Sequence, residues 1–242
     1  MIFTVTLYHK YQIMPYISVM LPTRQRTDLV KRSLESLSKT AHNPTDLEIL
    51  IAYDNDDQES QSFFSSDQWT QWLTEHNLEA RTFAVSRWGY RNLHEYYNYL
   101  ASQSHGSWLF MWNDDAVMET PGWDSHVRAN DNWRMLLHIT CRNLVMNCSI
   151  FPMFHREWLD LFGTVSPINH PDSWISEVCW QAKARRVIDV VTYHDRADLT
   201  GNNKDATFLE RDYSTHKEFK SEEMKALRKS WAERLTEYLK TK

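Results

Sequence analysis

The sequence predicts a single α/β domain, with a mostly parallel central sheet flanked by helices and a C-terminal helix after it. Three observations carry that expectation. Short β-rich apolar runs alternate with segments of helical period across the first half of the chain. The 242 residues are 42% hydrophobic, enough to bury a sizeable core. No internal repeat or low-complexity stretch competes with this reading.

The elements follow in order. "YISVML" (16–21) and "LEILIAYD" (47–54) read as strands. Between them "TDLVKRSLESLSKT" puts Leu29, Val30, Leu34 and Leu37 on one helical face, with Thr27 as the expected N-cap, so the three pieces form a βαβ unit. A helix over 67–77, a strand over 80–86, a helix over 90–105 stopped by Gly106 and a strand over 107–113 continue the alternation. Beyond Asp115 the rhythm loosens. A strand is expected over 134–143, a short helix over 155–163 ending at Gly163, a helix over 172–184 and a strand over 186–194. Residues 195–215 are polar and aperiodic and read as a mobile loop. The segment 221–240 is an amphipathic helix through Met224, Leu227, Trp231, Leu235 and Tyr238. This organisation divides the chain into an N-terminal extension (1–13), a ligand-binding half (14–115), a second half (116–200), and the loop with its C-terminal helix (201–242). Residues 1–13 read equally well as an extra edge strand.

Composition excludes several classes. A net charge of −5 argues against a protein whose main task is gripping nucleic-acid backbones. The three cysteines fit neither a CxxC metal site nor a disulfide framework, which points to a reducing cytoplasm. The opening segment is broken by His9, Lys10 and Gln12, so neither a signal peptide nor a membrane span is expected. No GxxxxGK[ST] or GxGxxG motif is present, which disfavours P-loop enzymes and dinucleotide dehydrogenases.

In an open parallel sheet, ligands bind beyond the carboxyl ends of the strands, so the informative residues are those that end them. Here these are "PTRQR" (22–26), "DNDD" (54–57), "SRWGYRN" (86–92), "NDD" (113–115) and "HDR" (194–196). Carboxylates and amides suit a base and ribose, basic groups suit a diphosphate, and oxygen-rich half-sites suit Mg²⁺ or Mn²⁺ with phosphates filling the remaining positions. Each piece also has a plain structural use: Thr23 as a cap, Asp54–Asp57 as a solvated turn, "NDD" as a loop start and His194 as a core histidine.

The ordered set "VMLPTRQRTDLVKRSLESL", "EILIAYDNDDQES" and "WLFMWNDDAVMETPGWD" resembles the family 2 glycosyltransferases of GT-A fold, most closely over residues 15–125. The resemblance implies that Pro22, Thr23, Arg24 and Arg26 line a nucleotide pocket and that Asp54 contacts the base, commonly uracil. It implies that Asn113 and Asp115 take the outer positions of a DxD motif, with Asp115 the principal metal ligand, Asn113 a weaker one and Asp114 on the ribose or sugar. His194 would be the third metal ligand, and Arg87, with Gly89 and Asn92, would stand for a compressed version of a family loop motif. An inverting transfer needs a carboxylate base; the resemblance places it near "INHPDSWISE", with Asp172 the first choice and Glu177 the second. The cofactors implied are Mn²⁺ or Mg²⁺ and a nucleotide-diphosphate sugar, UDP-type favoured, for a hexosyltransferase-like reaction. Trp123, Trp174 and Trp180 are available as sugar platforms or as core, and the loop around Gly201 as a lid.

Two other readings stand beside this one. A sugar nucleotidyltransferase shares the alternating fold but needs a Gly-rich loop where this chain has "PTRQRT"; a non-catalytic glycan- or protein-binding domain would need no metal. The acceptor stays open among a glycan, a lipid-linked glycan, a protein and a modified nucleic-acid base. Lys217, Lys220, Lys225, Arg228, Lys229, Arg234 and Lys240 would allow a peripheral membrane contact, the alternative being a solvated helix packed on the domain.

Overall fold

A computed structural model describes residues 15–132, 135–144, 146–211 and 213–242; the expected 1–13 extension lies outside the described residues. The elements in chain order are β1 (Ile17–Thr23), α1 (Thr27–Thr40), β2 (Leu47–Asp54), α2 (Gln58–Phe64), α3 (Asp67–Glu75), β3 (Glu79–Val85), α4 (Leu93–Gln103), β4 (Trp108–Met111) and β5 (Ala116–Met118). They continue with α5 (Trp123–Arg128), β6 (Leu136–Cys141), β7 (Met153–His155), α6 (Glu157–Phe162), α7 (Pro171–Gln181), β8 (Arg185–His194), α8 (Ala197–Thr200), α9 (Ala206–Leu209), α10 (His216–Phe219) and α11 (Glu222–Leu239).

All eight strands form one sheet in the order β3-β2-β1-β4-β7-β6-β8-β5. The first half is parallel, as expected: β1 pairs with β2 and β4, and β2 with β3. The second half is mixed, because β7 runs antiparallel to both β4 and β6, and β5 antiparallel to β8. Strands β5 and β7 are three residues each, too short to leave a period in the sequence. The sheet buries both faces. Ile17, Val19, Leu21, Ile49 and Ile51 pack with α1 residues Val30, Leu34 and Leu37 on one side, while Met20, Leu50 and Leu109 pack with α4 and α7 on the other. Each such side chain contributes about 1.5–3 kcal/mol relative to leaving it exposed.

Several local expectations are corrected. Thr27 does not cap α1: the N-cap is Arg26, without a side-chain cap bond, and the Thr27 hydroxyl reaches Glu59 instead. The aperiodic stretch after β8 is not structureless, since α8, α9 and α10 fall in and just beyond it. Where two alternatives were open, the structure takes the plainer one: Trp123 and Trp174 are fully buried in the core, and exposed Trp180 does not line the cleft. The amphipathic α11 packs on the domain against α7, with Trp231 stacked on Phe162 at 4.2 Å and Arg228 buried over the Phe219 ring. No helix among the described residues is long and apolar enough to cross a membrane.

At the amino end of the central strands, Glu48 accepts from Ser18 Oγ (2.5 Å), the His105 amide (2.8 Å) and Arg81 (2.6 Å), and lies 2.7 Å from His105 Nδ1. Gly106 passes so close that a Cβ would sit 2.6 Å from the Ser18 nitrogen, so only glycine allows this closure. Elsewhere in the sheet, burial and then Arg185 push His138 of β6 down from 6.5 to about 4. An imidazole neutral in the fold but protonated when unfolded makes the unfolded chain take up more protons. Its stabilising effect is therefore present above pH 6.5 and lost as pH falls toward 4, by on the order of 3 kcal/mol. His138→Gln is expected to flatten the decline of the melting temperature across that window; an unchanged profile would show that other groups govern it.

Candidate active site

The carboxyl ends of β1, β2 and β4, the end of β8 and the segment 207–211 enclose a cleft lined by Pro22, Thr23, Arg24, Arg26, Asp54, Asn113, Asp114, Asp115 and His194, with Tyr90, Tyr96, Arg196, Phe208 and Arg211 among the others. The residues singled out at strand ends are therefore brought together, and the register explains how. Parallel pairing of β1 with β2 and β4 sets Thr23, Asp54 and the β4 end side by side, and antiparallel pairing of Ala116 with His194 brings β8 back beside Asp115.

After Thr23 the chain turns through Gln25, which has φ of 53°, a left-handed conformation that separates Arg24 from Arg26. Asp57 holds this turn by accepting from the Gln25 amide at 2.7 Å and also caps α2. Arg24 donates to Asp54 Oδ2 at 3.0 Å and pairs with Asp56. Arg26 donates to Asp114 Oδ1 at 3.0 Å and forks onto Asp205 at 2.8 and 2.7 Å. Thr23 donates to the other Asp114 oxygen at 2.8 Å, so it serves the carboxylate and not a helix.

At the end of β4 the labour is divided. Asn113 Oδ1 lies 2.9 Å from the Tyr97 hydroxyl, and its amide nitrogen lies 3.5 Å from His194 Nε2. Asp115 Oδ1 lies 2.9 Å from the same His194 nitrogen. Asn143 pins His194 at the backbone, accepting from its N–H at 3.0 Å and donating to its carbonyl at 2.8 Å. Burial pushes Asp114 up, against the pull of Arg26 and with Asp115 adding to the rise. Burial acts on Asp115 too, but His194, Arg26 and Arg196 outweigh it and hold this carboxyl below the ordinary range. Burial raises Asp54, opposed by Tyr96 and Arg24.

Asp115 Oδ1 and His194 Nε2 lie at hydrogen-bond distance, 2.9 Å, with the Asn113 amide adjacent; as an oxygen and a nitrogen donor they are of the kinds that could hold a divalent ion once the proton between them leaves. No group of three or more His, Cys, Asp or Glu side chains that could hold a metal ion is found among the described residues, so an ion at Asp115 and His194 would have to complete its shell from Asn113, water or a ligand's phosphates.

The remaining expectations separate. Arg87 pairs with Asp56 and Glu210 at the cleft rim, and Asn92 donates to the Trp88 carbonyl at 3.0 Å. Asp172 lies in the first turn of α7, half-buried, after His170, which is left-handed at φ 68°. It does not line the cleft, but its charge is felt by Tyr90 and Tyr97, and Arg196 and His194 partly offset the burial that raises it. Glu177 is corrected outright: it faces α11, where it pairs with Arg228 at 2.9 Å, away from the cleft. Tyr90 belongs to the strand-end segment 86–92 but carries no charge to mark it there, whereas Tyr96, Phe208 and Arg211 come from helix or loop interiors and not from the end of a strand.

No protein-family model matches the chain, and neither does any curated protein. Solved structures do. The mannosyltransferase PcManGT from Pyrobaculum calidifontis, in complex with GDP-Man and Mn²⁺, superposes with a TM-score of 0.58 at 15% identity over 76% of this chain and 58% of that one. The fold is GT-A-like. S. aureus TarS 1-349 gives 0.53 with UDP and 0.54 with UDP-GlcNAc, both at 11% identity over 74% of this chain. The chain spans 56–58% of the length of the chains in these three structures. In this GT-A-like fold, Arg26 joins Asp114 at the β4 end to Asp205, just before α9. Removing one partner of such a buried pair costs about 3–5 kcal/mol. Arg26→Met is expected to lower stability by at least about 2 kcal/mol and to speed limited proteolysis between α8 and α9; unchanged cleavage there would show that Asp205 is held by something else.

Proposed function

We propose that the protein is a metal-dependent, inverting glycosyltransferase that moves a sugar from a nucleotide-diphosphate donor, UDP-type favoured, to a hydroxyl acceptor. The observation that carries this reading is the Asp115–His194 pair standing beside Asn113, Arg24, Arg26 and Asp54 in one cleft. The named neighbours add the fold, two chains with a bound nucleotide sugar and one with UDP.

Asp54 would accept from a base N–H, Thr23 and Asp114 would meet the ribose or sugar, and Arg24, Arg26 and Arg196 would face the diphosphate. Asp115 and His194, with Asn113, would hold Mn²⁺ or Mg²⁺, which supplies neutralisation of the charge that builds on the departing diphosphate. The acceptor oxygen attacks the anomeric carbon from the face opposite the nucleotide. Its proton passes to a carboxylate, for which Asp172 is the residue proposed; Asp172 does not line the cleft in this structure, so the role requires a rearrangement on ligand binding that brings the acceptor hydroxyl within hydrogen-bond reach of it. The cleft is open to solvent on one side, and the α9 segment at its rim is tied to it by Arg26 through Asp205 and by Arg87 through Glu210. A reducing, cytoplasmic setting agrees with three free cysteines.

Calorimetry with UDP- and GDP-sugars in the presence of Mn²⁺ tests this reading. The parent is expected to bind at least one donor and Asp115→Asn to lose at least tenfold in Mn²⁺-dependent affinity. Asp172→Asn is expected to bind that donor normally while transfer falls by ~10²-fold or more. Absence of any donor binding, or Mn²⁺-independent binding, would refute the assignment.

A further inference from the structure

Tyr96, on the first turn of α4, lies outside the strand-end set, yet its hydroxyl joins three groups at the Asp54 end of the cleft. It donates to Asp54 Oδ1 and accepts from the backbone N–H groups of Trp88 and Gly89, both at 3.1 Å. A phenol oxygen has one proton and two lone pairs, so these three partners use all of its capacity and fix the direction of the O–H. The ring is held as well, edge-on to Trp88 at 4.9 Å.

The consequence falls on Asp54. This carboxylate is buried, with Arg24 on Oδ2 at 3.0 Å and Tyr96 on Oδ1. One donor on each oxygen prevents rotation of the carboxylate plane and leaves each oxygen with unshared capacity toward the cleft. The same hydroxyl gathers the Trp88–Gly89 turn, where Gly89 has φ of 71° and itself lines the cleft. Three walls at the Asp54 end thus meet at one oxygen atom: the end of β2, the turn after β3 and the start of α4.

We infer that Tyr96 is a positioning residue for nucleobase recognition: through its hydroxyl it orients the Asp54 carboxylate and the Trp88–Gly89 turn so that the cleft accepts a base presenting N–H donors. This rests on the nucleotide-sugar reading above. It concerns a base with a free imide or amide N–H, as uracil and guanine have, and it assigns to Tyr96 a share of affinity that Asp54 cannot deliver alone.

A double-mutant cycle on binding decides it. The affinities of UDP and GDP, with Mn²⁺ present, are measured for the parent, Tyr96→Phe, Asp54→Asn and the double variant, with melting temperatures recorded alongside. For whichever nucleotide the parent binds, Tyr96→Phe is expected to weaken binding roughly tenfold, Asp54→Asn at least as much, and the double variant no more than Asp54→Asn alone. Multiplying effects, or a lowered melting temperature with unchanged affinity, would overturn the inference and leave Tyr96 a purely structural residue. If Tyr96→Phe does not fold, Tyr96→His, whose ring nitrogen offers a replacement donor, enters the same cycle under the same criterion. A parent that binds neither nucleotide overturns the nucleotide-sugar reading and this inference with it, an outcome distinct from loss of coupling in a parent that binds.

Discussion

The arrangement depends on one electrostatic constraint: carboxylates carried to the ends of buried strands must meet a cation or a full set of donors. Asp54, Asp114 and Asp115 are all nearly inaccessible, and an unpaired buried charge would cost several kcal/mol. Each therefore has its own counter-group, Arg24 for Asp54, Arg26 for Asp114 and His194 for Asp115. The turn at Gln25, the hairpin-like return of β8 beside β5 and the α9 segment exist where these pairings need them. The carboxylates thereby shape the chain around the cleft as well as its chemistry.

That constraint explains which parts of the structure were legible in the sequence. The β1-α1-β2 unit, β3, α4 and β4 announce themselves because apolar runs and helical periods alternate cleanly there. Strand ends are legible for the same reason, so the sequence alone places Thr23, Arg24, Asp54, Asn113, Asp114, Asp115 and His194 at one edge of the sheet. Three-residue strands such as β5 and β7 carry too little pattern to be read, and β7 supplies the antiparallel connection that makes the sheet mixed.

Partner choice is the other thing a linear reading misses. Glu177 and Asp172 sit on the same helix, five residues apart, and share a residue class. What separates them is α11, which arrives from the far end of the chain with Arg228 and claims Glu177. Trp123 and Trp174 likewise look no different from exposed tryptophans until the packing of α5 and α7 buries them. Tyr96 is the converse case: it reads as one more aromatic on a helix, and only the convergence of Asp54, Trp88 and Gly89 on its hydroxyl gives it a place in the site.

The Glu48 cluster at the opposite end of the sheet gives a measure of what sets the cleft apart. Glu48 has four polar groups against its two oxygens, about as many as a carboxylate can serve. Asp115, equally buried, has His194 as its hydrogen-bonding side-chain partner. Within one sheet, then, a closed shell of donors and an open one sit a strand's length apart. Glu48 has nothing left to offer a visitor, while Asp115 keeps lone pairs in reserve.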